Sequence, residues 1–289
     1  MVEQIFLLTL QTSLVLALVG VGLQSRWSDL AYALSRPLLV LRAVVAVNVI
    51  VPLAAILLVE LFQLTTIVKA GIILMAVAPL APAVPVRMIK VGATPSFTIG
   101  LYVVLVLLSI IIVPVTLALL SRFYPADVQF APAAAARLAI SSILIPLLIG
   151  IVVATFLPSI AKRAVKPARF LSSAGLLLCL AIVTIMMWDK MTALLGNGAL
   201  LVILLTIGAG LLAGHLLGGP ERNDRAALSA AAALRHPGLA GAIIAENSAA
   251  AGIEPVTMLF LLAAVLTTAI YFGVAKSRRP AGVVGGKPI

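Results

Sequence analysis

The chain has 289 residues, 63% of them hydrophobic and 10% charged, and a formal charge of +11 at pH 7. A single soluble core is excluded, because its helices or strands would carry polar faces at their own period, whereas the long segments here are apolar all round. The cationic excess is scattered over short stretches between apolar runs, which excludes a nucleic-acid partner and points to membrane topology.

Apolar runs repeatedly exceed the roughly 18 residues that a spanning helix needs, so the bilayer is the solvent. Turn and polar residues divide the chain into nine segments, 4–23, 38–62, 65–92, 96–121, 131–158, 168–188, 196–218, 224–251 and 255–275. The first is too long for the apolar region of a signal peptide and lacks a basic stretch before it, so it reads as a span. Alternating the loops with the C-terminus inside puts fourteen of the twenty Lys and Arg residues on the cytoplasmic side, as the positive-inside rule requires. The N-terminus is then outside, in a bacterial-type inner membrane. Cys179 is the only cysteine, so no intrachain disulfide forms, and its Leu-rich surroundings read as packing. The stretch 276–289, basic and rich in Gly, reads as a disordered cytoplasmic tail in reach of anionic headgroups.

Two spans are interrupted near mid-depth. The third carries Pro79, Pro82 and Pro85 within seven residues, each removing an amide donor at a cost of about 3 kcal/mol in a helix interior. The eighth carries Arg235-His236-Pro237-Gly238. Freed carbonyls at that depth must be buried in protein or line an aqueous cavity. The two interrupted spans run in opposite directions, the pattern of an inverted repeat whose broken helices frame a transporter site. Kinks of purely structural origin produce the same signal.

Arginine at mid-depth costs about 2.5–3.5 kcal/mol on insertion scales, so Arg235 needs a partner. Freed carbonyls, a half-helix C-terminus or an anionic ligand would each serve. Arg87 either lines the same site or snorkels with Lys90 to the interface. His236 is either a titratable group at the site or a packed neutral ring. Asn48, in the second span, lines the site or makes an ordinary helix contact. No acidic residue lies at either break; Glu246, about two turns beyond the second, either approaches the core from the external side or simply ends its helix. Two histidines, one cysteine and no acidic cluster give neither a nucleophile with its base nor a metal-ligand set, so an intramembrane enzyme is not expected.

Leu16-Ala17-Leu18-Val19-Gly20-Val21-Gly22-Leu23-Gln24, Asp29-Leu30, Arg36-Pro37, Val51-Pro52-Leu53, Pro79 and Pro237-Gly238-Leu239-Ala240 together make the chain resemble the bile acid:sodium symporter family from the first span to the ninth. That resemblance implies an all-α polytopic membrane protein of nine transmembrane helices, one fewer than many members have. It implies a transporter domain over 1–275 with two crossing broken helices. Panel helices fall at about 4–62 and 131–188 and core helices at about 65–121 and 196–275. It further implies an organic anion bound between panel and core, lined by Pro82, Val84, Pro85, Thr98, Tyr102, Pro237 and Gly238 beside the residues above. Thr98 keeps a hydroxyl where the family has a sodium-ligating serine, and Tyr102 stands for a family threonine. The family's Ser-Asn pair falls on Val84-Pro85, its sodium-binding glutamate on Ala231 and its glutamine on Arg235, so sodium coupling is expected to be weakened or absent.

The expected function is therefore secondary transport of a small organic anion by alternating access, with no cofactor and with the bilayer as environment. A sodium-coupled symporter with a rearranged site, or a channel or sensor on the same fold, is the alternative. Gly210 and Gly214, at the close-packing spacing of four, serve helix contacts within or between chains and leave the oligomeric state open.

Overall fold

The computed structural model describes residues 2–120, 132–245 and 252–277. Glu246 and most of the expected tail lie outside the described residues. Every described element is a helix. Six helices are long and apolar enough to cross a membrane: Pro37–Leu61, Pro95–Leu119, Pro132–Phe156, Pro158–Met186, Ala199–Leu217 and Glu254–Val274. They correspond to six of the nine expected segments. The third and eighth segments are broken and no continuous helix crosses there. The first, α1 (Val2–Gly22), ends at a bend of 76° into the short α2 (Trp27–Leu34). The chain is thus a polytopic membrane protein, with six membrane-length helices among the described residues.

Its outer surface suits that solvent. Leu57, Ile111, Leu177 and Ile185 are each at least 65% exposed, and in lipid such side chains need no further cover.

The second span joins α3 (Pro37–Val45) to α4 (Val51–Leu61) through a π turn over Ala46–Ile50. In that turn Val51 N–H reaches back to Ala46 O. The next residue is Pro52, which has no N–H to give, so the carbonyl of Val47, five residues earlier, receives nothing from its own helix. The same device recurs between α8 (Pro132–Ala139) and α9 (Ile145–Phe156), where a π turn over Ile140–Leu144 stands just before Pro146.

The third segment consists of α5 (Thr66–Val77) and α6 (Val84–Lys90), and the eighth of α13 (Arg222–Ala233) and α14 (Pro237–Ala245). Between them lie α7 (Pro95–Leu120), α10 (Pro158–Met186), α11 (Trp188–Thr192) and α12 (Ala199–Leu217), and α15 (Glu254–Ser277) closes the described chain. Packing sorts the helices into two groups. The first helix, α1, lies against α9 and α10, where Gly22 and Gly150 let backbones approach so closely that a Cβ on either would strike the opposing chain. Around α12 gather α13, α15 and α4, while α2 lies along α7. Within the segment 38–62, α4 packs against α12 and α5.

Candidate functional site

The two breaks meet. His236 N–H donates to Pro79 O at 2.8 Å and Ala81 N–H to Leu234 O at 3.3 Å, an antiparallel bridge between Leu80 and Arg235. Donors and acceptors that the prolines leave without helical partners are thereby exchanged between the two interruptions. Ala78 is the C-cap of α5 and Leu234 that of α13, so two helix C-termini point into one junction. Their macrodipoles each bring about half a negative charge to it, and a cation is stabilised there.

Arg235 is that cation, and with 1% of its surface accessible it is among the largest fully buried side chains. Nη1 donates to Ala78 O at 3.2 Å and Nη2 to Val47 O at 2.7 Å. Of the partners expected for it, the main-chain carbonyls and the half-helix C-terminus are the ones in place. The half-helix concerned is α5, across the junction, rather than the α13 that Arg235 itself follows. Val47 O is the carbonyl orphaned by Pro52, so this one side chain ties the second span to both breaks. Its Nε has no protein partner.

His236 is the N-cap of α14. Its Nδ1 accepts the Leu239 N–H at 3.1 Å, which places the ring proton on Nε2. That Nε2–H is buried and has no protein acceptor. Pro237 opens α14, where its missing N–H costs nothing. Gly238 is held between the His236 ring and Leu14 of α1, so the second break adjoins the α1 group.

Pro82, Val84 and Pro85 are buried at the start of α6, with Pro85 in its first turn. Arg87 is half-buried in the last turn of α6 and Lys90 is exposed. Thr98 and Tyr102 are fully buried one turn apart on α7, and neither hydroxyl has a partner in the protein. Asn48 sits in the π turn next to Val47 and its Nδ2 is likewise buried without an acceptor. Arg235, His236 and the first break are thus brought together by hydrogen bonds, and Asn48 adjoins them through Val47. No hydrogen bond joins Thr98 or Tyr102 to that junction.

Two features were not expected from sequence, one within the site and one at the far end of α13. One is the Val47 carbonyl, whose signal is Pro52 five residues on. The other is a cluster at the base of α13, where Arg36 reaches Asp224 at 3.3 Å, donates to the Tyr32 hydroxyl at 2.8 Å and lies over the rings of Tyr32 and Phe97. Nothing local in the sequence announces a pair 188 residues apart.

No curated protein matches the chain. A family model described as the sodium bile acid symporter family matches residues 12–194, more than half of the chain, and takes in the first break, both π turns and the C-terminal half of α1. With membrane-length helices around a broken one inside that stretch, the chain belongs to the sodium bile acid symporter family, a family of transporters.

Proposed function

We propose that the chain is a secondary transporter that moves a small organic anion by alternating access, without sodium at the junction of the two breaks. The observation that carries this reading is the imbalance of buried polar groups there. Arg235 Nε and His236 Nε2 are donors without protein acceptors, Asn48 Nδ2, next to Val47 in sequence, is a third, and among the described residues no carboxylate is bonded to the positively charged guanidinium. Buried donors of this kind favour a ligand rich in acceptors, and a cation beside them favours an anion. The N-terminus of α14, capped by His236, adds a dipole of the same preference.

Sodium fits this donor set poorly. Hard cations of this kind take several oxygen ligands. The carbonyls of Val47 and Ala78 are engaged by Arg235, and Ala231, Val84 and Pro85 offer no side-chain oxygen. Among the described residues no three His, Cys, Asp or Glu side chains gather as a metal site. In this reading α1, α9 and α10 form the panel, the anion binds between that group and the junction, and the N-terminus faces outward.

Uptake of labelled organic anions into proteoliposomes tests it. The expected result is uptake that is the same with sodium or choline outside and falls at least tenfold in Arg235→Ala, the loss of about 1.4 kcal/mol or more of interaction. Sodium-driven uptake that survives Arg235→Ala would overturn it in favour of a conventional symporter. Flux that neither saturates with anion concentration nor is accelerated by unlabelled anion on the opposite side would indicate a channel.

A further inference from the structure

Arg235 does more at the junction than supply charge. Its two Nη groups are spent on carbonyls of two different elements, Val47 in the π turn and Ala78 at the end of α5. Both carbonyls are there for reasons independent of the arginine. Val47 O is released because the donor due to it is Pro52, and Ala78 O because the helix ends before Pro79. Two helix C-termini, α5 and α13, aim their negative ends at the same place. Oxygen ligands from the main chain, converging dipoles and exclusion of water are the ingredients of a cation site, and the occupant in this chain is covalently attached.

We propose that Val47 O and Ala78 O form a backbone cation site that the Arg235 guanidinium fills from within, so that Arg235→Ala opens it to a free guanidinium ion. The inference rests on the reading of this junction given above and deepens it. A tethered cation neither enters nor leaves with the substrate, so it stabilises the junction in every turnover without coupling transport to an ion gradient. Guanidinium is the committed ligand because its fork reproduces both hydrogen bonds, at 3.2 and 2.7 Å in the parent protein, whereas a spherical ion lacks the other oxygens it needs.

The test is thermal unfolding of full-length Arg235→Ala in detergent, titrated with low concentrations of guanidinium chloride against sodium chloride and choline chloride at equal ionic strength. The expected result is a lowered Tm that rises saturably with guanidinium alone, while the parent protein shows no such rise. Proteoliposome uptake by the variant should recover with the same concentration dependence. Identical responses to guanidinium and choline would overturn the proposal. So would a variant that stays unfolded whether or not guanidinium is present during purification. Arg235→Ala/Pro52→Ala supplies a second arm: the restored amide at position 52 competes for the freed carbonyl, so the guanidinium response should shrink, and an unchanged response counts against Val47 as a ligand. Because unfolding is read without transport, failure here leaves the proposed function standing, and a chain that carries no anion can still show the titration.

Discussion

At the scale of single residues, His236 divides into two roles that substitution separates. Its Nδ1 caps α14 through Leu239 N–H, and its Nε2–H is free for a ligand. His236→Asn retains a short side-chain acceptor at the N-cap and should leave Tm nearly unchanged, whereas His236→Ala should lose about 1 kcal/mol of stability. Both should depress anion uptake if the Nε2–H contacts the substrate; uptake unaffected by His236→Asn would remove the ring from the site. The sequence alone made Arg235 and His236 visible because charged and proline-adjacent residues at mid-depth are expensive and therefore informative. It gave no view of Val47, whose contribution is a carbonyl that every residue possesses. Only the count of five from the π turn to Pro52 singles it out, and a π turn is not readable from side-chain periodicity.

Elements show the same division between what composition announces and what backbone approach decides. Three prolines and a His-Pro-Gly run are enough to locate both breaks, but not to say that they hydrogen-bond to each other, which depends on α5 and α13 arriving together. The packing of the second span on α12 and α5 is likewise invisible in its apolar sequence, and the hydrogen bond from Arg235 to Val47 O adds to it. On α12 the fit is set by small residues. A Cβ at Gly214 would strike the main chain of Ser229 in α13, while Gly208, on the same helix, has nothing within 4 Å of that position. Gly214→Ala should therefore destabilise by about 1–3 kcal/mol through overpacking. Gly208→Ala should be neutral or stabilising by up to about 1 kcal/mol, since alanine favours the helix. Thermal unfolding of the two variants in the same detergent checks the pair, and equal behaviour would remove the close α12–α13 packing from the account.

For the whole molecule, the orientation proposed from the charge distribution can be tested directly. With Cys179→Ser as background, Lys162→Cys and Lys190→Cys stand exposed near opposite ends of α10 and α11. An impermeant maleimide applied to intact cells should label position 190 alone, and labelling of 162 alone would reverse the topology. Alternating access makes a stronger demand, namely that the group of α1, α9 and α10 moves against the junction of the breaks. Leu14 and Gly238 are where these two bodies touch: a Cβ built on Gly238 lies 2.5 Å from Leu14 Cδ1. Cysteines at both positions, again without Cys179, form a disulfide only if their Cβ atoms come within about 3.5–4.5 Å, so bond formation is scored first on a non-reducing gel. If transport requires the α1 group to slide or rock past α14, oxidation should abolish anion uptake and a reductant should restore it, while either single cysteine responds to neither treatment. Uptake that continues through a fully oxidised pair would mean that the substrate passes without relative motion at this contact, and the carrier reading would give way to a static pore.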